Sequence, residues 1–423
     1  MSELNQFDMW IQDRGTAAIV LREYLVPVEG SDGIFFPATY ASQQGADRDK
    51  TKFQGGYNID KFEDGSNVVS VDSVGSQANR IEPIFAEKGY ADLVPQVVVT
   101  FPTKGLRLNL LNANHRAADA IVRCSAFEQD LQVAFQETQR GNTEKLAQLA
   151  PTSLVFGAWD SRVTQAKLPR IFSSVIRAFN VRQLTRSANF LVQMTIDLEK
   201  LELLPDAGSE EGFANALASS APGGVQLTAN GSIRRDATIN LSALRRLAVL
   251  ESDGTLNLDR TLALRRYILG LTLVAFTAPQ DSFLRSGCNL VPDIRKLREF
   301  TVVGADGQPE VFKLDHKQAI DYAREAMQKF GIRTSDLEKE FIQSSAEKAS
   351  EDKPEKIKDA EVTSIDVTKR IFKIKGKDAE LKISEDTSIK KGRSDVSFEE
   401  GIKVGAKLTL EVLNEVVKSI KLK

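Results

Sequence analysis

The side chains that could do chemistry are sparse in one class and concentrated in another. Only two histidines occur, His115 and His316, and neither lies in a nucleophile motif of the G-x-S-x-G kind. The sequence has no G-x-x-x-x-G-K-[ST] phosphate loop and no H-E-x-x-H zinc motif. Its two cysteines, Cys124 and Cys288, would have to converge with both histidines from distant segments to hold zinc. Asp72, Glu82 and Asp160 form no carboxylate cluster and read as caps, turn residues or ion-pair partners. No catalytic residue, metal or cofactor is therefore assigned.

Arginine is what is concentrated. From Ser161 to Ile196 the chain carries Arg162, Lys167, Arg170, Arg177, Arg182 and Arg186 with no Asp or Glu, and such an imbalance invites a polyanion. Pro169 suits the first turn of a helix. From there Arg170, Ser173, Ser174 and Arg177 fall at i, i+3, i+4 and i+7, which predicts one helix face with two guanidiniums and small hydroxyls between them. Arginines on phosphates, with serines allowing close approach, would lay a phosphodiester backbone along that face. A second stretch holds Arg234, Arg235, Arg245, Arg246, Arg260, Arg265 and Arg266, but Asp236, Glu251, Asp253 and Asp259 accompany it, so several of these are expected to pair within the chain. Trp159, Phe179, Tyr267 and Phe283 are candidates for base stacking, with core packing the commoner fate of each. The segment APGGVQLTANGSIRR reads as a loop or glycine-rich hairpin ending in two arginines.

These side chains must be positioned by elements that the hydrophobic pattern indicates. The 423 residues, 42% hydrophobic and 27% charged, suit a folded chain of two or three domains, and a net charge of −2 gives no overall field for nucleic acid or membrane. No basic-then-apolar leader opens the sequence and no run of 18 apolar residues occurs, so a cytoplasmic protein without membrane contact is expected. AAIVLREYLVPV, NVVSVDSV and PQVVVTF look like strands. RAADAIVRCSAFEQDLQVAFQ has helical period, as does His316 to Phe330, and Ser335 with Glu338 suggests a capping box for one more helix. This is α+β patterning. Polar stretches at 29–66 and 205–232 are long enough to be functional loops. A charged linker over 344–356 separates a core of 1–343 from a tail of 357–423, where RIFKIKG, AELKIS, KLTLEVL and VVKSIKL alternate as half-buried strands of a small β-barrel or sandwich do. The tail's lysines are balanced by acids, as on a solvated strand face.

The order of motifs carries more than any one of them. VDSVGSQANRIEPIF (71–85), HRAADAIVR (115–123), FGAWDSRVTQAKLPRIFSSVIRAF (156–179), GSIRRDATINLSALR (231–245) and LRSGCNLVP (284–292) together resemble the backbone subunit of type I-G (formerly I-U) CRISPR Cascade, in the repeat-associated mysterious protein (RAMP) superfamily. The resemblance spans about residues 17–330, and the block with WDSR followed by AKLPR is its most specific part.

The resemblance implies a modified RNA-recognition or ferredoxin-like core, β-α-β-β-α-β in plan, with palm, finger and thumb insertions. It implies copies of the chain polymerised along one guide RNA (crRNA), partnered by the other Cascade subunits, a large subunit and a guide-processing subunit among them, and pairing with target DNA in an R-loop; sequence would be read by base pairing. On the matched blocks, guide-RNA contact is expected of Arg162, Lys167, Arg170, Ser173 and Arg177, next of Gln77, Asn79 and Arg80, then of Arg116 and Arg235. The tail lies outside the family core, and a small OB or SH3-like barrel is expected there from periodicity. A metal-dependent RAMP-type RNA endonuclease, and a protein-interaction scaffold whose arginines pair with its own acids, stay open beside this expectation.

Overall fold

In the computed structural model, residues 3–46, 48–49, 51–102, 104–185, 188–190, 216–218, 223–296, 298–333, 337–342, 355–391, 394–398, 402–413 and 416–422 are described. They form two compact units: a large α+β unit that ends at Glu340, and an all-β unit from Phe341 onward that also takes in Cys124–Ala126. The 205–232 loop, the linker and the proposed cap at Ser335 lie wholly or mostly outside the described residues.

The large unit is organised by one antiparallel sheet. Strand β1 (Thr16–Pro27) is central, alternating between buried Ile19, Leu21 and Leu25 and the outward Arg22 and Tyr24. The next strand, β2 (Asn67–Asp72), leads through an N-cap at Ser73 into helix α1 (Val74–Ile81). Strands β3 (Val97–Phe101) and β4 (Leu106–Asn109) form a separate ladder. Helices α2 (Glu128–Gln139) and α3 (Pro151–Phe156) then bring the chain back to the main sheet, where β5 (Phe172–Gln183) and β6 (Val225–Asn240) lie side by side. Helix α4 (Leu258–Thr277) crosses to β7 (Cys288–Pro292) and β8 (Glu299–Gly304). β1 pairs with β6 on one side and with β7 and β8 on the other, β6 pairs with β5, and β2 adds beyond β5, all antiparallel. Stripped of β2, the order last-first-third-second with helical crossovers is the β-α-β-β-α-β plan.

One face of this sheet is covered, and on the other the described side chains, Arg22, Tyr24, Ser173, Arg177, Phe179 and Arg234 among them, are half-exposed or exposed. Ile19, Leu21, Phe172, Ile176, Ala178, Ile233, Ala237 and Ile239 are buried, and α4 touches β5 and β6. From Tyr267 to Thr277 every residue of α4 is buried, as a helix apolar all round must be. It packs closely on α5 (His316–Phe330): a Cβ on Gly270 would sit 2.7 Å from the Ala323 backbone. Helix α5 starts with a capping box between Asp315 and Gln318 and ends at Gly331 in the left-handed conformation.

Two expected helices outside the arginine segment take another form. RAADAIVRCSAFEQDLQVAFQ is broken into a tight turn at Arg116–Ala118, a single turn at Ala120–Arg123 and α2, because Asp119 and Arg116, the latter at φ +53°, interrupt it. Glu338 lies in strand β9 (Leu337–Glu340), paired in parallel with β3, rather than in a helix.

The second unit is a closed barrel. Its strands β10 (Glu355–Asp366), β11 (Ile371–Ile374), β12 (Lys377–Lys391), β13 (Lys407–Leu413) and β14 (Val416–Leu422) pair in the ring 10-11-12-14-13 and back to 10, with only β12 and β14 parallel. That is the order of the five-stranded Greek-key barrel of OB-folds. Phe372, Leu381, Leu408, Leu410, Val417 and Ile420 fill it. No helix among the described residues is long and apolar enough to cross a membrane.

Candidate nucleic-acid interface

The acid-free arginine segment is a strand where a helix was expected. Pro169 does not open a helix; three residues later β5 begins, with Phe172, Ser174, Ile176 and Ala178 turned into the core and Ser173, Val175, Arg177 and Phe179 turned outward. The four-residue step from Ser173 to Arg177 is compatible with a period of 2.0 as well as 3.6, and the β-branched and aromatic content of IFSSVI settles the choice once strands flank it on both sides. Ser173 and Arg177 still share a face, whereas Ser174 is buried and donates to Gln77 Oε1 (2.8 Å).

On the exposed face, cross-strand register assembles a basic and aromatic platform. Arg177 of β5 stands directly opposite Arg234 of β6, which stands opposite Tyr24 of β1. Ser173 faces Thr238, and Phe179 faces Ser232. The Arg234 guanidinium lies 4.7 Å from the centre of the Phe179 ring and donates from Nε to Asp236 Oδ2 (2.9 Å). The Lys296 ammonium lies 4.5 Å over Tyr24. Arg22 and Arg177 are exposed and have no ion-pair partner among the described residues. Cations beside half-exposed rings on a sheet are what single-stranded RNA uses for phosphate contact and base stacking.

A second basic feature is the loop between α3 and β5. Asp160 is buried at its centre and accepts from the backbone N–H of Arg162, Val163 and Thr164 and from the Thr164 hydroxyl. Burial disfavours its charge, but those hydrogen bonds outweigh it and hold the carboxyl below its ordinary range. The loop closes through Trp159 and Lys167, which pair as a short bridge. Trp159 is left 59% exposed, with the Lys167 ammonium 5.8 Å from its ring, and Arg162 and Arg170 are exposed beside it in sequence. Gly157, at φ +78°, begins the loop where a Cβ would collide with the Arg170 stem at 2.8 Å.

The other expected RNA contacts are placed elsewhere. Gln77 is buried, donating to Asp72 Oδ2 (2.8 Å) while it accepts from Ser174. Arg80 donates to Asp72 (3.2 Å) and to the Leu284 carbonyl (2.5 Å), and Arg285 also pairs with Asp72 (2.7 Å). Asn79 accepts from Arg116 (3.2 Å). Arg116 and Arg235 were expected at phosphate and are corrected to buried ion-pair residues: Arg116 pairs with Glu82 (2.5 Å), and Arg235 donates to Glu23 (2.7 Å). Of the remaining arginines, Arg245 and Arg265 donate to backbone carbonyls and Arg260 and Arg266 pair with Glu144 and Asp8. Tyr267 lies in the core, and Phe283 is exposed at a strand end. The expected glycine-rich hairpin is, over 225–240, the long strand β6, bulged between Leu227 and Ser232 where Gly231 approaches the Asn180 carbonyl. Arg186 lies outside the described residues.

Arg22 and Tyr24 escaped the reading of the sequence, although the alternation in IVLREYLV marks both as outward. In the barrel, by contrast, Lys356, Lys369, Lys373 and Lys375 each pair with a carboxylate, and its Phe372 and Phe398 are buried.

Residues 19–183 match the model of a family described as CRISPR-associated protein GSU0053. That segment begins in β1 and ends with β5, and it includes Tyr24, the Trp159 loop and Arg177. The match supports a CRISPR-associated protein. No curated protein matches the chain.

Proposed function

We propose that this chain is a non-catalytic, guide-RNA-binding backbone subunit of a type I-G Cascade surveillance complex, present in several copies along one crRNA. The observation that carries the reading is the exposed sheet face, where Arg177 and Arg234 lie side by side and Arg234 sits over the Phe179 ring, within and next to the CRISPR-associated match. A guanidinium pair takes two phosphates or one phosphate from both sides, and the rings beside it take bases without regard to sequence. The Trp159 loop supplies a second stacking platform with its own cations. Such contacts hold an RNA by its backbone and leave base edges for target DNA, consistent with sequence being read by pairing. In this reading the other Cascade subunits and neighbouring copies are the protein partners.

Expression of the chain with and without a matching repeat-spacer array tests this. The expected result is discrete RNA of guide length that copurifies only with the array, in a ladder of oligomers, and dissociates steeply as salt is raised. RNA-free protein in both cultures, even beside its candidate partner subunits, would refute the reading. Cleavage of the bound RNA would favour the RAMP-type endonuclease instead.

A further inference from the structure

Beneath the covered face of the sheet lies a cavity of about 460 Å³ that the RNA reading does not use. Arg235 lines it from β6, together with Glu23 and Leu25 of β1, Arg80 and Ile84 from the α1 region, and Arg298 beside β8. Its size falls within the roughly 300–1,000 Å³ of small-molecule pockets.

Positive charge gathers at one part of its wall, around Glu23. Glu23 accepts from Arg235 Nε at 2.7 Å and faces Arg298 Nε at 3.5 Å, so two guanidiniums share one carboxylate. Arg235 is 1% exposed, yet Nη1 and Nη2 have no hydrogen-bond partner among the described residues. Leaving donors of a buried cation unpaired is costly, and burial together with the neighbouring Arg298 lowers the Arg235 pKa to about 10. The pair Nη1 and Nη2 is a fork that matches the two oxygens of a carboxylate or phosphate. Leu25, Ile81, Ile176, Leu284 and Leu290 offer an apolar wall for the rest of a ligand.

We propose that this cavity binds a small free ligand with an oxyanion head, phosphate or carboxylate, on an apolar or aromatic body, the head seated against Arg235 and Arg298. The site lies on the face of the sheet opposite the Arg177 platform, so its occupancy is separable from RNA binding. Glu87 and Asp281 also line the cavity, and their charges favour a singly or doubly charged head over a polyanion.

The test uses the full chain stripped of nucleic acid in high salt, titrated calorimetrically with inorganic phosphate, adenosine 5′-monophosphate and benzoate. The expected result is saturable one-to-one binding of adenosine 5′-monophosphate or benzoate, tighter than phosphate alone. Which of the two binds identifies the head group. Arg298→Gln, at a 34% exposed side chain that leaves the Arg235–Glu23 pair intact, should weaken binding about tenfold, the scale of one charge-assisted hydrogen bond. Ile84→Trp should abolish it by filling the wall, and both variants should keep the parent's melting temperature and RNA retention. No heat with any probe, or binding that is equal in the parent and both variants, would overturn the proposal and leave solvent as the partner of Arg235.

Discussion

Arg177 and Arg234 are direct cross-strand partners on the exposed face of the sheet, two like charges in opposed positions. Such pairs destabilise a sheet, and among the described residues only Arg234 has compensation, from Asp236 and the Phe179 ring. The arrangement suits a polyanion better than the bare protein. Arg177→Ala is therefore expected to leave the melting temperature unchanged or slightly raised while RNA affinity falls, with the slope of log affinity against log salt smaller by about one. Filter binding at several salt concentrations, beside a thermal melt, checks both halves. A variant that loses stability and keeps its affinity would remove Arg177 from the interface.

Trp159 gives an independent handle because the chain has only one other tryptophan, Trp10, which is buried and stacked on Phe7. Single-stranded RNA should quench the emission of the exposed Trp159 and leave that of Trp10. Trp159→Ala should lose the quench and weaken binding by about 1–3 kcal/mol, the usual worth of one base stacked on a ring, with little change in folding stability. Quenching that persists in the variant would assign it to something other than stacking at this loop.

How much of this was legible in the sequence depends on whether local period or tertiary neighbours decide. Helix α5 was readable because Ile320, Ala323, Met327 and Phe330 recur at helical spacing, the last three of them buried, and α+β patterning followed from strands such as AAIVLREY. The Arg170 to Arg177 segment was not, since the step from Ser173 to Arg177 fits both a helix and a strand, and only pairing with β2 and β6 chooses. That choice matters for function. Strand alternation sends Arg234 out and Arg235 in, and likewise separates Ser173 from Ser174, so neighbours that read alike in sequence have opposite fates. Arg116 misled for a related reason: its partner Glu82 is 34 positions away, and nothing in HRAADAIVR announces the pairing. Composition found the cations; register decides which of them an RNA could reach.

The contact of α4 with α5 makes a prediction about the scaffold. At Gly270 a methyl group would lie 2.7 Å from Ala323 Cα and 3.1 Å from its Cβ, so the helices would have to separate. Gly270→Ala should cost about 1–3 kcal/mol in denaturant unfolding, even though alanine is the better helix former. A stabilised variant would mean that the helices part without loss.

The Glu82–Arg116 pair makes stability depend on pH in an unusual direction. Burial pushes the Glu82 carboxyl up to about 7, against the pull of Arg116 and of the Thr152 hydroxyl. A folded-state value above the unfolded one, near the ordinary 4.5, means that the native protein binds more protons than the unfolded chain between those values. This group therefore stabilises the fold fully below the unfolded value, and its contribution is lost as pH rises through the folded one. Depressed carboxylates elsewhere, Asp160 and Asp293 among them, act in the opposite sense at lower pH. Glu82→Gln, which keeps the shape and cannot ionise, isolates the effect. Urea midpoints of the parent and the variant, measured from about pH 5 to about pH 8, should converge or cross as pH rises, because only the parent loses stability by this route. Parallel curves over that range would show that Glu82 is ionised in the folded protein throughout and that Arg116 compensates its burial.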